Sequence, residues 1–186
     1  MTKKMSKQLI EEAIQQPSIA HVYMKYNADY YLVPLAASSK LFLAILEDDF
    51  AFDGYRISRF RDIKKIQIKQ DKYNDIIRAE GLFDTLEIPE IGLDSWQKVF
   101  DGLEKIGRNI IVEYETPEGE DDTLTIGQIA EVYGSCVYIY HFDADGIWMD
   151  APDRIPYNLV TSVTFDNRYV NVFSRHIPEQ PLPRKQ

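Results

Sequence analysis

Apolar residues along this chain recur at two spacings. Met5, Leu9, Ile10, Ala13 and Ile14 fall at helical intervals and make one stripe over residues 5–16. Pro17 ends that stripe, because proline has no N–H to give to a helix ladder. A second stripe, Trp96, Val99, Phe100, Leu103 and Ile106, follows a capping Asp94 or Ser95 and stops at Gly107. Elsewhere, short runs of aromatic, β-branched and aliphatic residues predict strands. These run from His21 to Tyr26, Tyr30 to Leu35 and Leu41 to Leu46, then from Asn109 to Tyr114, Thr123 to Val132 and Val137 to Phe142. Asn27-Ala28-Asp29, Ser38-Ser39, the acidic stretch Pro117 to Asp122 and Gly134-Ser135 separate them, and Asp53-Gly54 and Asp145-Gly146 read as tight turns.

The elements recur along the chain. Each helix is followed within a few residues by a strand ending in tyrosine, at Tyr26 and at Tyr114. Further on, Ile63, Ile66 and Ile68 match Val160, Val163 and Phe165 at a constant offset of 97. Arg56-Ile57-Ser58 precedes the first set and Arg154-Ile155-Pro156 the second, with Tyr73 and Tyr169 beyond them. The expected fold is mainly β (α+β) and duplicated. A helix and a first small barrel occupy 1–92, a helix and a second small barrel occupy 93–178, and a flexible tail covers 179–186.

A helix followed by about five short strands, with an aromatic-x-x-aliphatic step into a late strand, resembles the small SH3-like and Sm-like barrels. The resemblance is one of pattern, with no Sm motif and no SH3 peptide-groove signature beside it. It implies the fold and, in those families, the binding of RNA or peptides; function itself does not follow from fold.

At 186 residues the chain is long enough to bury a core without disulfides or metals. Twelve Tyr and nine Phe favour pleated, half-buried surfaces. The single cysteine, Cys136, cannot close an internal disulfide, and its setting in Cys136-Val137-Tyr138-Ile139-Tyr140 reads as a buried strand rather than a nucleophile. Lys3, Lys4 and Lys7 are followed by no apolar segment of a secretory signal, and nowhere do eighteen apolar residues run together. The expected location is cytoplasmic, without a membrane.

Candidate chemistry is sparse. His21, His141 and His176 are each alone in sequence, outside any spacing that sets two ligands on one helix face. Asp143-Ala144-Asp145-Gly146, beside His141, is similar to the start of a calcium loop. Its bidentate position, six beyond the glycine, holds Pro152, so a polar turn is the simpler reading. No nucleophile elbow, phosphate loop or dinucleotide fingerprint occurs. The expectation is therefore no catalytic residue, no metal ligand and no cofactor.

Charge gives the contrast. Residues 56–78 hold eight basic side chains against three acidic, a net of +5, whereas 79–153 hold three basic against eighteen acidic, a net of −15. Arg56, Arg59, Arg61, Lys64, Lys65 and Lys69 are the candidate binding residues; the plain alternative is a strand edge guarded by lysine. The overall charge of −9 opposes RNA. The leading expectation is a non-enzymatic binding or regulatory module for a protein partner, or for a second copy whose acidic half meets the basic one. An Sm-like RNA-binding protein using the basic segment comes second. An enzyme with a site between the halves comes third.

Overall fold

The computed structural model describes residues 2–116 and 122–179; most of the acidic stretch after Pro117 and the tail from 180 lie outside them. The elements run α1 (Lys3–Gln15), β1 (Ala20–Met24), β2 (Asp29–Ala37), β3 (Leu41–Asp48), β4 (Ala51–Arg59), β5 (Ile63–Ile68) and α2 (Lys72–Ala79). They continue with α3 (Trp96–Ile106), β6 (Ile110–Glu115), β7 (Asp122–Val132), β8 (Cys136–His141), β9 (Asp153–Pro156), β10 (Val160–Phe165) and α4 (Arg168–Ser174). Both expected helices form. Thr2 opens α1 by accepting from the Met5 N–H, and Ser95, not Asp94, opens α3 by accepting from the Lys98 N–H. Gly107, at a φ of +68°, closes α3 in the left-handed conformation that a side chain would strain.

All ten strands join one antiparallel sheet in the order β5-β1-β2-β3-β4-β10-β6-β7-β8-β9. The order of the first five, last strand beside first and then a meander, is also the order of the second five. Irregularities recur as well. Leu35 is the extra residue where β2 pairs β3, and Ala130 where β7 pairs β8. Lys64 is the extra residue where β5 pairs β1, and Thr161 where β10 pairs β6. The bulges on β5 and β10 stand at the same offset of 97 as the apolar triplet.

The two small closed barrels expected from the sequence are not formed. The sheet is open: among the described residues β5 and β9 each have a strand neighbour on one side only. The reason lies at the middle, where β4 pairs β10 and so carries the hydrogen-bond ladder across the halves instead of curling back on β5. The register there sets Tyr55, Arg56, Ile57 and Ser58 against Phe165, Thr164, Val163 and Ser162.

Three further expectations change. Tyr26 lies past β1 in a 3-10 turn at a φ of +58°, and the residue paired as Tyr114 is paired is Met24: Met24 faces Ile63 while Tyr114 faces Val160. Asp53-Gly54 lies inside β4; the β3–β4 hairpin turns instead at Asp49 and Phe50, both at positive φ. Gly54 is needed for another reason, because a Cβ there would stand 2.4 Å from the Asn167 backbone nitrogen. Helices α2 and α4, which the apolar pattern did not mark, follow β5 and β10. Asp71 and Asn167 cap them by the same side-chain bond to the residue three further on.

Two apolar clusters hold the sheet. The smaller unites Ile10 of α1 with Ala20, Val22, Leu32, Phe42, Phe60 and Ile66. The larger runs through both halves: Val33, Leu43 and Ile57 join Phe100, Leu103, Ile110, Val137, Val163 and Phe165. Trp96, Val99, Phe100 and Leu103 are buried, so the α3 stripe docks as its spacing implies, with Ile106 left exposed at its end. Cys136 is buried at the start of β8.

Candidate functional site

The basic candidates divide between the interior and the surface. Arg56 and Arg59 project from β4 at the seam between the halves and are each only 5% exposed. The Arg56 guanidinium reaches across β10 to both carboxylate oxygens of Glu113 on β6, Nη1 donating at 3.1 Å; Nη1 also donates to Thr164 Oγ1 at 3.1 Å. Ser162 donates to the same carboxylate at 2.7 Å, and the Arg56 guanidinium stacks over Tyr30. Arg59 donates through Nε to Asp62 and through Nη1 to the Asn158 carbonyl, and its Nη2 stands 3.2 Å from Glu115. Lys25, Arg61 and Tyr26 also converge on Glu115, the tyrosine hydroxyl donating at 2.9 Å.

Buried charges need such partners, since desolvation alone would neutralise them. Burial pushes the Glu113 carboxyl up, but the Arg56 charge and the bonds from Arg56 and Ser162 more than offset it, leaving the group below its ordinary value. Glu115 behaves alike: burial raises it, and the Tyr26 bond, the Arg59 charge and Lys25 bring it below. Arg56 and Arg59 thus tie strand to strand. Arg61 is exposed and bridges Glu115 to the Asn158 carbonyl at 3.1 Å.

Lys64 and Lys65 are exposed, and Lys69 is partly buried beside Asp71 at 3.1 Å. Lys64 is the exposed bulge residue of β5. Lys65 stands opposite Tyr23 with its ammonium over that ring, and Lys69 lies over both Tyr31 and Tyr73. His21 stacks on Tyr31 with ring centroids 4.2 Å apart and contacts Asp29 at 2.6 Å. His21, Tyr23, Tyr31 and Lys65 therefore form one aromatic and cationic face beside the open β5 edge. They point away from the smaller apolar cluster, which holds the alternate residues Ala20 and Val22. Tyr73 bonds Glu47 at 2.8 Å, and burial followed by that bond pushes its hydroxyl up to about 12.

A cavity of about 460 Å³ opens where the halves meet, between the α1 and α3 N-termini and the ends of β3, β4 and β9. Trp96 and Tyr157 supply rings to its wall, and its lining includes Arg59, Arg61, Lys3 and Lys40. Burial raises the Tyr157 hydroxyl above its usual range.

The other candidates do local work. Asp143 Oδ1 accepts from the Asp145 and Ile147 N–H groups at 2.9 Å each, the expected polar turn. His141 faces Asp153 at 3.1 Å. Among the described residues no helix is long and apolar enough to cross a membrane.

Sequence reading took Arg56 and Arg59 as surface charges and missed Glu113, Glu115 and Ser162. The available signal was Glu113-x-Glu115 alternating with Ile110 and Val112 along one strand, opposite the charge of Arg56-x-x-Arg59. The pocket could not be read that way, because its walls come from turns far apart in sequence. Compared with protein-family models, with curated proteins and with solved structures, the chain matches none of them.

Proposed function

We propose that this chain is a non-enzymatic binding module that joins a protein partner, foremost a second copy of itself, through the open edges of its sheet. The observation that carries the reading is the β4–β10 ladder, a strand-edge joint between two units of the same strand order. One such joint lies within the chain, while β9 and β5, which stand in their units as β4 and β10 do, remain open. We take the recurring order and bulges as an internal duplication of an SH3-like or Sm-like unit, opened at its edges and divided near residues 92–93.

Carrying the joint's register over to the open edges gives a definite pairing. Arg154 of one copy faces Ile66 of the next, Asp153 faces Gln67 and Ile155 faces Lys65. Asp150 and Asp153 bring negative charge to the β9 side, and Lys64, Lys65 and Lys69 bring positive charge to the β5 side. Unpaired strand edges invite added strands, and short or lysine-flanked ones admit only selected partners. Pro152 and Pro156 flank that stretch and have no N–H to donate, so the ladder is short and the association depends on concentration.

The RNA reading is weaker. Arg56 and Arg59 are engaged with carboxylates, and the chain carries a charge of −9. Acid–base catalysis between the halves also lacks support, since the cationic cavity there includes no histidine, cysteine or carboxylate in its lining. A single buried cysteine suits the reducing cytoplasm in which we place the chain.

The test is a cross-link. In a Cys136→Ala background, Gln67→Cys together with Asp153→Cys is expected to yield covalent chains of two and more copies on mild oxidation. Moving the second cysteine from Gln67 to Lys64, the bulge residue, is expected to abolish them. A monomer at every concentration in sedimentation, with no cross-linking beyond that of each single cysteine, would overturn the self-association.

A further inference from the structure

The cavity between the halves has a chemistry of its own, independent of the sheet edges. Apart from Tyr157, every ionisable side chain in its wall is a cation: Lys3, Lys40, Arg59 and Arg61. Arg59 and Arg61, with Lys25 behind them, share the two carboxylates of Asp62 and Glu115, three positive charges to two negative. Lys3 and Lys40, both exposed, add two more cations at the rim. In a protein of net charge −9 the site is thus locally positive, and low-dielectric walls concentrate that potential.

Two further features narrow the ligand. The Arg59 side chain is 6% exposed and is held by Asp62, by the Asn158 carbonyl at 3.1 Å and by Glu115 at 3.2 Å, so its charge is fixed in the cavity wall. A fixed positive charge at the wall favours an anion held by the exposed cations beside it. The aromatic wall is held in place: Tyr157 stacks on Phe100 with centroids 5.7 Å apart and donates to the Tyr133 carbonyl at 2.7 Å, while Trp96 packs against Phe100 with centroids 6.1 Å apart. Fixed rings beside fixed cations suit a planar group carrying an anion.

We propose that this cavity binds a small phosphate ester bearing a planar ring, the class of a nucleoside monophosphate. The ring lies along Trp96 and Tyr157, and the phosphate meets the exposed Arg61 and Lys40, with the buried Arg59 charge in the wall beside them. The volume of about 460 Å³ falls within the range of small-ligand sites. It holds one nucleotide, and the negative charge of the chain as a whole disfavours a longer polyanion.

The sequence has two tryptophans, so Trp148→Phe leaves Trp96 as the sole indole reporter in the full-length protein. Titration with AMP, GMP and UMP is expected to give saturable quenching of Trp96 by at least one of them. The matching nucleoside and inorganic phosphate alone are each expected to bind much more weakly. Lys40→Glu, an exposed change that leaves the Arg59 network alone, is expected to weaken the monophosphate by about tenfold or more, the scale of a lost charge-assisted contact. Calorimetry on the unsubstituted protein repeats the measurement without the reporter. Absence of saturable binding by both methods would overturn the site, as would binding indifferent to Lys40→Glu. Tighter binding of a short oligoribonucleotide, with a steep salt dependence, would overturn the small-ligand assignment in favour of a nucleic-acid strand.

Discussion

Arg56 on β4 holds Glu113 on β6 across the strand that lies between them. Neither residue belongs to β10, yet their ion pair bridges it, and Ser162 and Thr164 of β10 bond to the two ends of the pair. The first half of the chain is thereby fastened to two strands of the second, beside the β4–β10 ladder and the apolar cluster that also join them.

Removing one end of that pair leaves an uncompensated buried charge. Glu113→Leu or Arg56→Met is expected to cost about 3–5 kcal/mol, whereas the double substitution costs much less, because well-packed apolar groups replace a buried pair at little loss. Urea unfolding of the three variants checks this. A double variant as unstable as the sum of the singles would show that the pair does not act as a unit.

The same network sets an acid limit. Folding lowers the carboxyls of Glu113 and Glu115, so the stability they add is complete above the ordinary carboxylate value of 4.5 and is lost as pH falls through the lowered folded values. The urea midpoint is expected to hold steady near neutral pH and to fall on the acid side of that value. Glu113→Gln is expected to start lower and to decline less steeply.

Phe100 has no exposed surface and touches both Trp96 and Tyr157. Phe100→Ala is expected to cost about 3–5 kcal/mol, a large share of the roughly 5–15 kcal/mol that holds a domain. An unchanged melting temperature would mean that α3 does not hold the sheet.

Gly127 lies on β7 where a Cβ would stand 1.7 Å from the Tyr140 carbonyl oxygen. Gly127→Ala is therefore expected to break the β7–β8 ladder and to lower the yield of folded protein. Gly134→Ala, where a Cβ meets nothing within 4 Å, is the control expected to leave thermal unfolding close to that of the parent.

Lys65 is exposed, and Lys69, partly buried, pairs with the half-exposed Asp71 at 3.1 Å, so reversing both to Glu is expected to keep the fold at the small cost of a near-surface ion pair. Concentration-dependent association is expected to weaken in the double variant and also at about 1 M salt, where the Debye length falls to roughly 3 Å. Sedimentation of both proteins at low and high salt measures it. A dimer indifferent to charge and salt would place the contact on an apolar surface instead.

The sequence by itself determined the local elements. Helical spacing from Met5 to Ile14 and from Trp96 to Leu103, and pleated runs such as Leu41 to Leu46, follow from which side chains can share one face of a short segment. The offset of 97 was visible because Ile63, Ile66 and Ile68 keep the apolar spacing of Val160, Val163 and Phe165, and the bulges at Lys64 and Thr161 fall in step with it. Helices α2 and α4 were harder to see, being short and held by the caps Asp71 and Asn167 more than by a wide apolar stripe. Only the tertiary structure decided what the strands did next. Whether β4 closes on its own unit or pairs β10 depends on contacts between residues more than 100 positions apart, which no local pattern encodes. That choice opened the sheet, turned Arg56 and Arg59 from surface charges into seam residues, and brought Trp96, Tyr157 and Arg59 around one cavity.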